Sequence, residues 1–169
     1  GRTIYLLNGE YATNAIEDSS LSLTILGQDK NRVIVHGNEN YIFKITGENL
    51  VWKFENIKFA GANSPSQASG AIISFSSSTT GNDYNLNIIN CSFTNNPSEG
   101  NYLNSVFIEN ANANIEESTF ISSGDVGSSV HVASGNLDIS GSAILQKGNY
   151  ALTKEDSATV TANNNWWGR

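Results

Sequence analysis

The chain has 169 residues and a mass of 18.2 kDa, enough for one domain with a continuous core. Sixteen acidic residues against nine basic ones give a net charge of −7, which excludes nucleic acid and anionic membrane surfaces, since no basic stripe is present to meet phosphates. Hydrophobic residues make up 38% and charged residues only 15%, and the gap is filled by Asn, Ser, Thr and Gly, which favour turns and uncharged strand faces.

Thr3 to Leu7 reads as the first strand, and Gly1 leads into it without the pattern of a signal peptide. No apolar run reaches the ~20 residues of a membrane-spanning helix, so no span is expected in this chain. Asn8-Gly9 then reads as a turn, Leu21 to Leu26 as a strand, Gly27 to Asn31 as a turn and Val33 to Val35 as a strand, with His36 in the turn that follows.

From Phe54 onward a repeat organises the chain. An apolar residue is followed five positions later by Phe or Ile: Phe54 and Phe59, Ile88 and Phe93, Ile115 and Phe120, Ile139 and Ile144. Val160 closes the series, with Trp166 one position late. Successive units start at Phe54, Ile88, Ile115, Ile139 and Val160, steps of 34, 27, 24 and 21 residues. A period of this size with β character implies a solenoid in which each repeat is one coil.

The interior of each unit agrees. Leu86-Asn87-Ile88, Ala113-Asn114-Ile115, Leu137-Asp138-Ile139 and Ala158-Thr159-Val160 alternate apolar and polar, the mark of a half-buried strand. A corner residue follows (Asn56, Asn90, Glu117, Gly141, Ala162), then an inward small or apolar residue (Ile57, Cys91, Ser118, Ser142). Further strands fall at Tyr41-Ile42-Phe43, Ala71-Ile72-Ile73, Val106-Phe107-Ile108, Val130-His131-Val132 and Ala151-Leu152. Equivalent residues of stacked coils lie over one another, so Phe59, Phe93 and Phe120 are expected to form an aromatic stack and Asn56 and Asn90 an amide ladder. A β-sandwich would require hairpin turns every 8–12 residues, and these are missing. The expected fold is all-β: a right-handed parallel β-helix of about six to seven irregular coils. It forms a single domain over residues 1–169.

Several segments resemble known repeats. They are Thr3-Ile4-Tyr5-Leu6-Leu7-Asn8-Gly9-Glu10-Tyr11, Leu23-Thr24-Ile25-Leu26-Gly27-Gln28, Gly70-Ala71-Ile72, Ile89-Asn90-Cys91-Ser92-Phe93-Thr94-Asn95-Asn96 and the closing Asn163-Asn164-Asn165-Trp166-Trp167-Gly168. Together they are similar to the β-helical repeats of adhesin-like surface proteins of methanogenic archaea, and more distantly to the polymorphic outer-membrane proteins of chlamydiae. The later coils depart from the pattern, with Val106 and Val130 where Gly-Ala-Ile would stand. The resemblance implies a piece of a larger, extracellular cell-surface protein that serves adhesion and carries no cofactor.

An enzyme acting on polysaccharides is the main alternative on this fold. It would need carboxylates aligned in adjacent coils. Asp138 faces outward, but its aligned neighbours Asn87, Asn114 and Thr159 are neutral, and Glu116-Glu117 meet Ile89-Asn90 and Ser140-Gly141. No catalytic residue is therefore assigned. No His, Cys or Asp set has metal-ligand spacing, so no metal site is assigned either. His131 reads as an outward strand residue, Cys91 as a small core residue, and Trp166-Trp167 as a cap on the last coil. The sequon Asn90-Cys91-Ser92 falls at a partly buried corner, which makes glycosylation there unfavourable.

Two long insertions mark one side of the solenoid, Gly61 to Ser69 and Asn95 to Asn104, and a third, Ser76 to Asn85, leaves from another corner. The first two offer Asn63, Gln67, Asn95, Asn96, Glu99, Asn101 and Tyr102, amides and one ring suited to a glycan. The expected partner is a glycan or protein on the surface of another cell. A purely structural stalk is the third reading.

Overall fold

The computed structural model describes residues 1–37, 40–61, 70–78, 81, 83–95, 103–123, 126–147 and 149–168. Their regular structure is entirely β. Each of the first six coils contributes one strand to each of three parallel sheets and the last adds a strand to one of them; strands are numbered in chain order.

Sheet A contains β1 (Arg2–Leu6), β4 (Leu23–Gly27), β7 (Trp52–Glu55), β10 (Leu86–Ile89), β13 (Ala111–Glu116), β16 (Gly135–Ser140) and β19 (Ala158–Asn163), stacked in that order. Sheet B contains β2 (Gly9–Thr13), β5 (Val33–Gly37), β8 (Lys58–Ala60), β11 (Ser92–Asn95), β14 (Thr119–Ser122) and β17 (Ala143–Lys147). Sheet C contains β3 (Ile16–Asp18), β6 (Tyr41–Glu48), β9 (Ala71–Ser78), β12 (Asn104–Glu109), β15 (Ser128–Val132) and β18 (Tyr150–Lys154). Every strand pairs in parallel with its counterpart one coil away, so the fold is a parallel β-helix.

The core follows from the register. Phe54, Ile88, Ile115 and Ile139 are successive partners in sheet A, and all are at most 1% exposed. In sheet B, Phe59, Phe93 and Phe120 pair in line and their rings stack. Trp52 is also buried, and its indole N–H donates to the Leu21 carbonyl at 2.7 Å, which satisfies the ring's one polar atom.

The A-to-B corner explains why Asn recurs there. Asn56, Asn90, Glu117, Gly141 and Asn164 all have φ between 49° and 59°, a left-handed backbone that Gly and Asn adopt at least cost. The expected ladder forms: Asn90 Nδ2 donates to Asn56 Oδ1 at 2.7 Å, and Lys30 Nζ donates to Asn90 Oδ1 at 2.7 Å. Ile57, Cys91, Ser118 and Ser142 turn inward just after it and are buried.

Several expectations need correction. In the last coil, Ile139 pairs with Ala162, and Val160 pairs with Leu137. The corner residue is therefore Asn164 rather than Ala162, and Thr161 rather than Thr159 is level with Asp138. Val160 is the bulkiest apolar residue of the last strand, but it is level with Leu137, and the small Ala162 stands at the position level with Ile139. Gly9 begins a strand instead of a turn, and β2 and β3, which the sequence reading did not place, complete the coil that β1 opens. His36 lies inside β5, and β9 runs on through Ser78, paired with β6 as far as Glu48. Val106 pairs with Ile73, not Ile72.

Candidate functional site

The B-to-C corner lies before the start of sheet C, and in chain order the two long insertions fall there, between β8 and β9 and between β11 and β12. The backbone there is packed with almost no clearance. Gly70 has φ 66°, and a Cβ on it would lie 2.1 Å from the Asn40 carbonyl oxygen; Gly127 has φ 74°, and a Cβ on it would lie 1.7 Å from that of Leu103. Only glycine fits either position. The same corner is tied by Ala71 N–H to Asn40 O, Asn104 N–H to Gly70 O and Ser128 N–H to Leu103 O, at 3.2–3.3 Å.

Just past this pinned corner, the outer face of sheet C carries a groove of about 220 Å³ lined by Tyr41, Gly70, Ala71, Ser74, Leu103, Asn104 and Phe107. The register explains the lining. Lys44, Ser74, Phe107, His131 and Thr153 are ladder partners facing outward, and Tyr41, Ala71, Asn104, Ser128 and Tyr150 form the parallel row beside them. Phe107 sits edge-on to His131 with centroids 5.3 Å apart, and His131 Nε2 lies 3.1 Å from Glu155 Oε1. The Lys44 ammonium lies 5.3 Å from the centroid of the Tyr41 ring. Neighbouring side chains thus orient both groove aromatics, leaving an apolar floor with polar rims.

Of the residues expected to bind, Asn63, Gln67, Asn96, Glu99, Asn101 and Tyr102 lie outside the described residues. Asn95 ends β11 with 2% exposure, and its carbonyl accepts from Ser123 N–H. It belongs to the solenoid wall, where it is shielded from an external ligand. The groove residues Tyr41, Ser74 and Phe107 were missed. Phe107 carried a signal, since it is an aromatic at an outward position between inward Val106 and Ile108.

The outer face of sheet A carries two carboxylates in its later coils. Asp138 pairs with Asn114 and Thr161, and Glu116 pairs with Ile89 and Ser140, so neither carboxylate has another directly beside it in the ladder. Cys91 is fully buried, and burial pushes its thiol pKa up to about 12. Asn90 is engaged in the corner ladder on both its amide atoms. Among the described residues, no group of three His, Cys, Asp or Glu side chains is placed to hold a metal ion. No helix among them is long and apolar enough to cross a membrane.

At the last coil, Trp166 bridges to Ala143, and Ile144 N–H donates to its carbonyl at 2.8 Å. Trp167 therefore follows at the level of Ile144, above the Phe stack. Both side chains remain largely exposed, Trp166 at 56% and Trp167 at 41%.

Comparison with protein-family models, with curated proteins and with solved structures found no match.

Proposed function

We propose that this chain is a non-catalytic, adhesin-like module of a cell-surface protein, and that it meets a glycan of another cell or surface along the outer face of sheet C. The observation that carries this reading is the Tyr41–Ser74–Phe107 groove beside the B-to-C corner. Sugar rings present apolar C–H faces and a hydroxyl edge. Two aromatic side chains with Ser74 between them complement both. The rigid solenoid keeps the two rings in place, so little ordering entropy is lost on binding. The extracellular setting and the adhesive role rest on the resemblance to adhesin-like surface proteins of methanogenic archaea.

The test is binding of the labelled protein to a glycan array and to whole microbial cells, compared with Phe107→Ala. The proposal predicts saturable binding that weakens about ten-fold in the variant, the ~1.4 kcal/mol of one ring contact. Absence of binding to either surface would favour a structural stalk. Product release from a polysaccharide in the panel would favour an enzyme.

A further inference from the structure

A second site lies on a different face. Tyr84 stands in the connection between sheets C and A, just before β10, yet its hydroxyl donates to Asp138 Oδ2 in β16, two coils further along. Two strand spacings are about 9.6 Å, so the ring must lie along the solenoid axis, across the intervening strand β13. Asn114 of β13, at the outward position between Asn87 and Asp138 in the ladder, is only 7% exposed. The phenol pKa is raised, first by the hydrogen bond to Asp138, then by burial and by the charges of Asp138 and Glu116. The hydrogen bond to Asp138 holds the ring in place as one wall.

Beside this wall runs a trough of about 240 Å³ lined by Tyr84, Asn112, Asn136, Leu137, Asp138, Thr159 and Thr161. Its amides are mutually ordered. Asn136 Nδ2 donates to Asn112 Oδ1 at 2.7 Å, and Asn112 Nδ2 donates to the Gly81 carbonyl at 3.1 Å. These bonds do not use Asn136 Oδ1, the second Asp138 oxygen or the two Thr hydroxyls, all on residues that line the trough.

We infer that this trough is a second binding site, for a neutral polyhydroxylated unit such as one pyranose ring. The lining decides the ligand class. An anion would meet Asp138 with Glu116 nearby and no cationic side chain in the lining. A divalent cation would find one carboxylate already engaged by a phenol. An apolar molecule would leave the amides and hydroxyls unpaired. A sugar hydroxyl both donates and accepts, which matches an alternating row of amides, hydroxyls and a carboxylate, while the Tyr84 face receives the ring's C–H side. The inference deepens the reading of the module as a glycan binder, but its observations are independent of the sheet C groove. Two sites on separate faces would allow one module to bridge two glycan chains.

The probes are methyl β-glucoside, methyl β-galactoside and methyl α-mannoside, each titrated into isotope-labelled protein and followed by amide and side-chain NH₂ shifts. The inference predicts saturable shifts at Asn112, Asn136, Asp138 and Thr161 for at least one probe. Asp138→Ala and the trough-filling Thr161→Arg should each weaken them at least about ten-fold, whereas Phe107→Ala leaves them unchanged. Thr161 is exposed on the last coil, so its replacement tests the site without touching the core. No shift with any probe, or shifts indifferent to Thr161→Arg, would overturn the inference. Loss confined to Phe107→Ala would overturn it while leaving the sheet C groove standing.

Discussion

The Phe93 and Phe120 rings lie 4.9 Å apart and within 4° of parallel, although 27 residues separate them in sequence. Phe59 continues the stack on the other side of Phe93, at 5.1 Å and 19°. This geometry follows from ladder register: Phe59, Phe93 and Phe120 are directly paired in sheet B, and one strand spacing is about a ring-stacking distance. Phe93 is fully buried and has a ring on both sides. Phe93→Ala should therefore cost about 3–5 kcal/mol, by lost burial and a cavity that fixed neighbouring coils cannot close. Denaturant unfolding of the variant checks this; a loss well below that range would mean that the coils collapse around the gap.

Glu117 occupies the left-handed corner with φ 50°, between Asn90 and Gly141 in the same column. A Glu side chain gains nothing from that conformation, whereas Asn tolerates it and its amide is placed to extend the Asn56–Asn90 ladder. Glu117→Asn should raise stability by about 0.5–1 kcal/mol. An unchanged or lower unfolding midpoint would show that the corner is not strained by Glu.

Cys91 stands where the next two coils have Ser118 and Ser142, whose hydroxyls donate to the Glu116 and Ser140 carbonyls at 2.9 and 3.0 Å. The Cys91 thiol makes the equivalent contact with Ile89 O at 3.4 Å. Cys91→Ser should thus cost no more than about 1 kcal/mol near neutral pH. Its pH dependence is more diagnostic. The folded thiol is pushed up from 9.0 to about 12, so between those values the unfolded chain sheds a proton that the folded chain keeps. Stability from this group is complete below pH 9 and is lost as pH rises. Unfolding of wild type and Cys91→Ser at pH 7 and pH 10.5 should show the wild type losing more; equal losses would contradict a shifted thiol.

Ser105 and Ser129 are fully buried at the start of adjacent strands in sheet C, and neither hydroxyl has a hydrogen-bond partner among the described residues. A buried unpaired hydroxyl is a liability of about 1–3 kcal/mol. Ser129→Ala should consequently leave stability unchanged or raise it. A loss above about 1 kcal/mol on unfolding would show that the hydroxyl has a partner in solution.

The coil period, the Phe stack and the Asn corner were legible because each depends on a local pattern repeated at short intervals: Ile88 and Phe93 predict Ile115 and Phe120. The register of the last coil was not, because Ala162 is too small to announce an inward position. In the first coil β1 was legible, as the strand read over Thr3 to Leu7, but β3 was not: Ile16 is 39% exposed, and this three-residue strand carries no clean alternation of buried and wet residues. Both candidate sites escaped the sequence because they join residues of different coils. Tyr84 and Asp138 are 54 positions apart, and only the coil lengths between them bring the phenol to the carboxylate.

The central claim is that the outer face of sheet C is a ligand surface, and mapping tests it most directly. Isotope-labelled protein would be titrated with the strongest glycan found on the array, following the backbone amides. The account predicts saturable shifts centred on Tyr41, Gly70, Ser74 and Phe107, and their loss in Phe107→Ala with the rest of the spectrum intact. Saturable binding that leaves those four amides unmoved would contradict it and place recognition elsewhere on the solenoid.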